Sequence, residues 1–192
     1  MLLTYGHGTE SAERTAAILA GAGVSSLVDI RTAPGSRRNP QFVRAAMEEW
    51  LPEAGIAYQW EKRLGGFRKP SADNPDVAWR EDMFRGYAEH MRSADFRTAI
   101  DAVLSEAVLA EADQAEAGQA DRGSGLVTVM CSESLWWRCH RRLVADFVSV
   151  ARGVEVRHLM HDGRTEAHRP SPGLRLRDDG LLVYDSGQPT LL

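Results

Sequence analysis

The chain has 192 residues, of which 43% are hydrophobic and 26% charged, and its formal net charge at pH 7 is −4. This composition predicts one folded domain with a sizeable core, and it excludes a disordered or fibrous protein. The negative charge disfavours a protein that coats nucleic acid through bulk electrostatics, although it is compatible with a local basic patch. We find no apolar run of about 18 residues and no signal-peptide pattern, so we expect a cytoplasmic protein that does not enter a membrane.

Five apolar or β-branched runs predict strands, and helical patterns follow most of them. The strands are expected at residues 2–5, 26–30, 56–60, 126–130 and 154–159. This alternation predicts a three-layer α/β fold with a largely parallel, five-stranded sheet between helices. Residues 174–176 and 181–184 flank an Asp-Gly pair, which predicts a C-terminal β-hairpin. We expect one domain over residues 1–170, with an alanine- and glutamate-rich insert near 106–123, and a hairpin and tail over 171–192.

The first predicted strand runs into Gly6-His7-Gly8, and a helical pattern follows. The glycines allow a sharp turn and a close approach of the backbone to a ligand. The spacing matches neither the dinucleotide fingerprint nor the phosphate-binding loop of nucleotide-binding proteins. His7 therefore either faces a ligand or stabilises the turn with a hydrogen bond.

Two loops carry positive charge next to glycines. The loop after the second strand contains Arg31, Ser36 and Arg37, and the loop after the third strand contains Gly65 and Gly66. Arginine forms bidentate contacts with phosphate and carboxylate groups, so each loop is a candidate anion site. A solvated basic loop is the alternative in both cases.

The segment 126–142 combines a strand with reactive side chains. Cys131 ends the strand, and we expect Ser132 or Ser134 to cap a helix that follows, which would lower the pKa of the thiol. Cys139 shares a spacing of four residues with Leu135, Leu143 and Phe147, so a buried position in the core is favoured for it.

The polar candidates follow the ends of different strands. His7, Arg31, the Gly65-Gly66 loop, Cys131 with Glu133, and His158 all come at or just beyond a predicted strand end. Because ligands bind at the carboxyl edge of parallel sheets, we expect these groups to meet there.

Several short motifs resemble those of a known family. They are Gly6-His7-Gly8, the strand end at Arg31, Pro34 with Ser36-Arg37-Arg38, Leu64-Gly65-Gly66, Phe84-Arg85-Gly86-Tyr87, Met130-Cys131-x-Glu133 and Cys139-His140-Arg141. From about residue 2 to 168 the chain is similar to the bacterial and archaeal family catalogued as domain of unknown function 488. That family is defined by sequence, so the resemblance implies no particular reaction.

The leading hypothesis is a cysteine-dependent enzyme that acts on a phosphate-bearing or otherwise anionic molecule. Its catalytic candidates are Cys131, Glu133, His140 and His7. The candidates for binding the anion are Arg31, Ser36, Arg37, Gly65, Gly66, Arg138, Arg141 and His158. The loop after Cys131 is not a phosphatase loop, since it holds two tryptophans and its spacing to Arg138 is one residue too long.

Two other hypotheses remain. A nucleotide- or nucleic-acid-binding module without catalysis would use arginines together with Trp60, Phe67, Trp136 or Trp137. A metal site would use the two cysteines and histidines. It is disfavoured, because the spacing of the cysteines is not that of a zinc ribbon and Cys139 is assigned to the core. We therefore predict no metal and no cofactor.

Overall fold

A six-stranded sheet forms the centre of the computed structural model, which describes residues 1–116 and 125–187. The strand order is β3-β2-β4-β1-β5-β6, with the first five strands parallel and β6 antiparallel to β5. The strands are β1 Leu2–Gly6, β2 Val24–Asp29, β3 Ala57–Trp60, β4 Leu126–Cys131, β5 Val156–Leu159 and β6 Thr165–Ala167. The three-layer α/β fold is confirmed. The sixth strand was not predicted because it is three residues long, largely exposed and without an apolar run.

Helices cover both faces of the sheet. The helices are α1 Ala12–Gly21, α2 Arg44–Glu53, α3 Asp82–His90, α4 Ala94–Glu116 and α5 Arg141–Asp146. Buried side chains of α1 and α2 share one core with β1 and β2, whereas those of α3, α4 and α5 form a second, larger core on the opposite face. None of the helices in the described ranges is both long and apolar enough to cross a membrane.

Strand β4 separates its side chains between the two cores. Val127, Val129 and Cys131 belong to the core beneath α3, α4 and α5, and Met130 belongs to the core beneath α1 and α2. This alternation follows from the period of two in a strand. It directs the Cys131 side chain toward the face from which α5 approaches.

After the neighbouring strands β1 and β4, the chain continues to opposite faces of the sheet. Gly6 and Cys131 are paired at their ends, after which the chain from β1 enters α1 on one face and the chain from β4 leads to α5 on the other. Loops that diverge in this way leave a cleft at the carboxyl edge of the sheet.

The C-terminal hairpin is present as predicted. Strands β7 Leu174–Leu176 and β8 Leu182–Tyr184 pair antiparallel, and Gly180 takes a positive φ of 75° in the turn. The alanine- and glutamate-rich insert is helical as far as Glu116. Its remaining residues, 117–123, and the tail from 188 onward lie outside the described residues.

Candidate functional site

A cavity of about 640 Å³ opens at the carboxyl ends of β1, β2 and β4. Most of the candidate residues from the sequence line it. They are His7, Arg31, Ser36, Gly66, Cys131, Glu133, Arg138 and His140, and Cys139 joins them. Side chains that follow separate strands therefore line one cavity.

Four other candidates do not line this cavity. Arg37 is exposed on the loop after β2, and Gly65 is buried against Thr32. Arg141 lies beneath the loop that follows Cys131, and His158 lies on β5 in a separate polar cluster. The contacts of Arg141 indicate that it positions the loop after Cys131, and those of His158 indicate a structural role.

The two cysteines and His140 form a compact cluster at the cavity floor. The Sγ atoms of Cys131 and Cys139 lie 3.8 and 3.6 Å from Nδ1 of His140. Both thiols are unpaired and buried. Cys139 is thus a core residue, as the sequence indicated, and at the same time a residue of the site, which the sequence reasoning missed. The adjacent residues Cys139 and His140 lie within ten residues of Cys131 in the sequence, and this spacing could have indicated that Cys139 belongs to the site.

The thiol pair is asymmetric. The hydrogen bond with Cys139 and burial raise the pKa of the Cys131 thiol well above its usual range. Burial opposes ionisation of Cys139 as well, but the hydrogen bond from Cys131 and the neighbouring His140 and Arg141 outweigh it and hold the pKa of Cys139 well below its usual range. Cys139 is therefore the more acidic thiol of the pair.

The hydrogen bonds of His140 fix its orientation. Its Nε2 atom lies 3.1 Å from the carbonyl oxygen of Ile30, which can only accept, so Nε2 donates. In the neutral ring, Nδ1 then carries a lone pair directed at the two sulfur atoms. The backbone of Gly66 approaches the ring so closely that a Cβ atom there would lie 2.9 Å from Nδ1.

The positive charge of Arg31 is compensated at the cavity wall. Its guanidinium binds the buried Asp29 carboxylate with N–O distances of 2.6 to 3.1 Å, and Tyr58 donates to the same carboxylate. Asp29, a carboxylate at the end of β2, therefore pairs with an arginine. Arg31 also contacts Nε2 of His7 at 3.3 Å.

His7 is held at both ring nitrogens. Nδ1 donates to the carbonyl of Gly8 at 2.9 Å, and the ring stacks on Phe42 with 3.9 Å between centroids. Burial and the charge of Arg31 lower the pKa of His7 to about 4. His7 is thus a neutral side chain that both stabilises the turn and borders the cavity.

Arg138 and Glu133 bring charge to the cavity without pairing with each other. Among the described residues, the guanidinium of Arg138 has no hydrogen-bond or ion-pair partner. The carboxylate of Glu133 accepts from the backbone N–H of Leu135 at 3.1 Å. Arg138 is therefore a cation available to a bound anion.

The chain between Cys131 and His140 differs from the expected helix. A short 3₁₀ turn covers Trp136–Arg138 without a side-chain cap, Cys139 is extended, and the α-helix begins only at Arg141. The prediction that Ser132 or Ser134 caps a helix next to Cys131 was wrong, because the strand is followed by an irregular loop. A helix dipole therefore does not act on Cys131, and Arg141 supplies the local positive charge instead.

Two of the three candidate tryptophans are held by contacts within the protein, and the third, Trp137, is 42% exposed but does not line the cavity. Trp136 lies flat on His158, with 4.0 Å between centroids and 7° between planes, and Trp60 donates from Nε1 to the carbonyl of Arg31. Phe67 differs: it lines the cavity, is 83% exposed and has a positive φ of 59°. Among the aromatic candidates it is the one placed to contact a ligand.

Comparison with known proteins gives one family match. The family model described as "Domain of unknown function DUF488" matches residues 11–148. No curated protein matches the chain, and no solved structure does either. The matched region contains Arg31, Gly66, Cys131, Cys139 and His140, all of which line the cavity. Because the match spans well over half of the chain, the protein belongs to the DUF488 family.

Proposed function

We propose that this protein is a cysteine-dependent enzyme that acts on a phosphate-bearing or otherwise anionic small molecule in the cavity at the carboxyl edge of the sheet. The observation that carries the proposal is the placement of both thiols beside the Nδ1 lone pair of His140, on the floor of that cavity. A nucleophilic sulfur with an adjacent base, oriented by a third group, is the arrangement that thiol enzymes use.

The proposed chemistry begins with a proton transfer. His140 takes the proton of the thiol pair through Nδ1, while Ile30 holds the ring in place through Nε2. Cys131, at the end of β4, forms a bond from sulfur to the electrophilic atom of the substrate while the bond from that atom to the departing group breaks, and the departing group takes the proton back from His140. Water then attacks the same atom, the bond to sulfur breaks, and the proton that the water gives up passes through His140 to the thiol pair, which restores the enzyme. Cys139 is hydrogen-bonded to Cys131, so the negative charge of the nucleophilic sulfur is distributed over both sulfur atoms.

Two groups support the assignment of an anionic substrate. Arg138 offers a guanidinium that is unpaired within the described part of the chain, and Ser36 lines the same cavity from the loop after β2. Arg31 also borders the cavity, but its charge is largely neutralised by Asp29. The anion is therefore expected to bind through Arg138 more than through Arg31.

Iodoacetamide alkylation of the chelator-treated protein, followed separately for Cys131 and Cys139 by peptide mass spectrometry, tests the proposal. We expect one thiol to react faster in the native protein than in urea. His140→Gln, whose amide can still reach Ile30, should slow that reaction at least about tenfold, because the base is lost. His90→Gln is the control, since His90 lies outside the cavity and bonds to the carbonyl of Arg63. Native thiols that react no faster than unfolded ones would refute the proposal.

The anion is tested in the same assay. Inorganic phosphate should slow alkylation severalfold in the native protein, and chloride at equal ionic strength should not. Arg138→Gln should remove this protection, whereas Arg37→Gln should retain it, since Arg37 does not line the cavity. Equal protection in both variants would contradict the placement of the anion.

A second candidate function is a nucleotide-binding module without catalysis. The exposed Phe67 beside the cavity favours it, because an aromatic ring next to a cation can stack on a base while the cation holds a phosphate. Protection of the thiols by nucleotides that is lost in Phe67→Ala, together with native thiols no more reactive than unfolded ones, would favour this function over the enzyme.

A further inference from the structure

We infer that Cys131, Cys139 and His140 bind a thiophilic divalent cation, with zinc the best match. The three side chains are buried, and their ligand atoms all lie within 4.8 Å of one another. The inference goes beyond the proposed function, because it concerns a ligand-bound state of these side chains and requires no turnover.

The distances fit a tetrahedral centre. Zinc binds thiolate sulfur at about 2.3 Å and imidazole nitrogen at about 2.0 to 2.1 Å, so sulfur and nitrogen on one tetrahedral ion are about 3.6 Å apart. The two observed separations from Nδ1 of His140 are 3.8 Å to Cys131 and 3.6 Å to Cys139. The cluster can therefore receive the ion with little movement of the side chains.

The hydrogen bond at Nε2 of His140 is also typical of a metal-binding histidine. Histidines that bind metals usually donate from the other ring nitrogen to a carbonyl or carboxylate, which fixes the tautomer. Here Nε2 of His140 donates to the carbonyl of Ile30, and the backbone of Gly66 lies against the Nδ1 side of the ring. The lone pair of Nδ1 is thus preorganised toward the position between the sulfurs.

Charge balance favours the bound state. Two thiolates in a buried site repel each other, so the pair is costly without a counter-charge. A divalent cation between two thiolates and a neutral imidazole gives a complex with no net charge, which a low-dielectric site tolerates far better than a lone thiolate pair. Because thiolates and not thiols bind the ion, binding would release thiol protons.

The fourth coordination position faces the cavity. All three ligands line it, together with Glu133 and Ser132. Three protein ligands with one open position are typical of reactive zinc sites, whereas structural sites are closed by four. The bound ion would take water or an anion in that position. It would also occupy both sulfurs, so thiol chemistry belongs to the metal-free protein.

The test is a titration of the chelator-treated, reduced full chain with Co²⁺, followed by thiolate-to-cobalt charge-transfer absorption in the near ultraviolet. We expect saturation at one equivalent and competitive displacement by Zn²⁺. Cys131→Ser and Cys139→Ser should each lose at least about tenfold in affinity and much of the absorption. His7→Gln, on the same cavity but outside the cluster, should retain both. Native protein without the absorption, or a Cys139→Ser variant that keeps it unchanged, would overturn the inference and leave thiol-to-imidazole hydrogen bonds as the account of the cluster.

Alkylation of the unmutated chain separates this inference from the proposed function. Saturating Zn²⁺ should protect both cysteine peptides if the ion binds here. Fast native alkylation that zinc does not slow would refute the metal site and leave the enzyme proposal intact. Zinc protection combined with slow alkylation of the metal-free protein would support the metal site and refute the thiol nucleophile.

Discussion

At the scale of single residues, a buried arginine determines the shape of the loop beside the thiols. Arg141 is 1% exposed, and its guanidinium donates to the backbone carbonyls of Glu133 and Ser134. Its Nε atom has no hydrogen-bond partner among the described residues, and the side chain does not line the cavity. Arg141 is therefore a positioning residue for the loop, and its charge acts on the thiols at a distance.

Gly6 makes that arrangement possible, and its substitution is the first residue-scale prediction. A Cβ atom at Gly6 would overlap the Glu133 carbonyl and the Arg141 guanidinium. We expect Gly6→Ala to lower the free energy of unfolding in urea by about 3 kcal/mol, since neither partner can move without breaking their hydrogen bond.

Gly21→Ala is the matched control for Gly6→Ala. Gly21 ends α1, and a Cβ atom there would have no neighbour within 4 Å. That variant should gain about 0.5 to 1 kcal/mol through helix propensity. Equal effects of the two substitutions would show that the loop adapts to a side chain at residue 6.

The sequence predicts which residues follow strand ends, and it does not predict which way a side chain turns. His7 and Cys131 come to the cavity because backbone pairing fixes the ends of β1 and β4. Arg138 and Arg141 are three residues apart and look equivalent in sequence, yet one faces the cavity and the other is buried beneath the loop. The difference arises from the 3₁₀ turn and the extended residue Cys139, which no periodicity reveals.

At the scale of elements, long apolar strands and helices are predictable, and short or irregular elements are not. The five parallel strands follow from apolar runs, and their positions agree to within a few residues. Strand β6 depends on pairing with β5 and has no hydrophobic pattern of its own. The spacing of Leu135, Cys139 and Leu143 suggested one helix, but α5 begins only at Arg141. Cys139 and Leu143 are buried in the same core without a continuous helix, and Leu135 is only half-buried and outside that core.

The C-terminal hairpin is attached to the sheet domain through polar contacts of β8 as well as through its buried side chains. Tyr184 is buried, and its hydroxyl donates to the Asp146 carboxylate of α5 at 2.8 Å. Its backbone N–H donates to Asp76, and its carbonyl accepts from Ala78. These contacts join the hairpin to α5 and to the loop before α3.

We predict that Tyr184→Phe lowers the free energy of unfolding by about 1.5 to 3 kcal/mol, because a buried carboxylate loses a hydrogen-bond donor. Urea unfolding at neutral pH measures the change. Tyr5→Phe is the matched control: Tyr5 is also fully buried, but its hydroxyl lies 3.5 Å from Thr15, too far for a strong bond, so we expect a loss below about 1 kcal/mol. Equal losses would mean that the Asp146 contact does not stabilise the hairpin.

At the scale of the whole molecule, two buried neutral histidines link stability to pH. Burial and the neighbouring charges of His168 and Arg141 lower the pKa of His158 to about 3, and the pKa of His7 is lowered to about 4. The groups packed around His158 come from several elements: Thr4 of β1, Trp136 of the 3₁₀ turn, and His168, which is paired with Asp146. Thr4 and His168 hydrogen-bond to the two ring nitrogens of His158, so the neutral ring, with one donor and one acceptor, is fully bonded.

The sign of the effect follows from these pKa values. In the unfolded chain each histidine binds a proton below pH 6.5, whereas the folded protein keeps both rings neutral until the pH approaches 4 and 3. Their contribution to stability is therefore complete above pH 6.5 and is lost progressively as the pH falls toward the folded values.

We expect His158 alone to account for about 2 kcal/mol of stability lost between pH 7.5 and pH 5, since pH 5 lies about 1.5 pKa units below the unfolded value. Urea unfolding at the two pH values measures the loss. His158→Gln should be less stable than the unmutated chain at pH 7.5, because it loses the stacking on Trp136, yet its further loss on acidification should be smaller by about 2 kcal/mol. The remaining loss of unfolding free energy on acidification should be smaller still in the double variant His7→Gln/His158→Gln. If His158→Gln loses as much stability on acidification as the unmutated chain, the buried ring at residue 158 is not a source of the acid sensitivity.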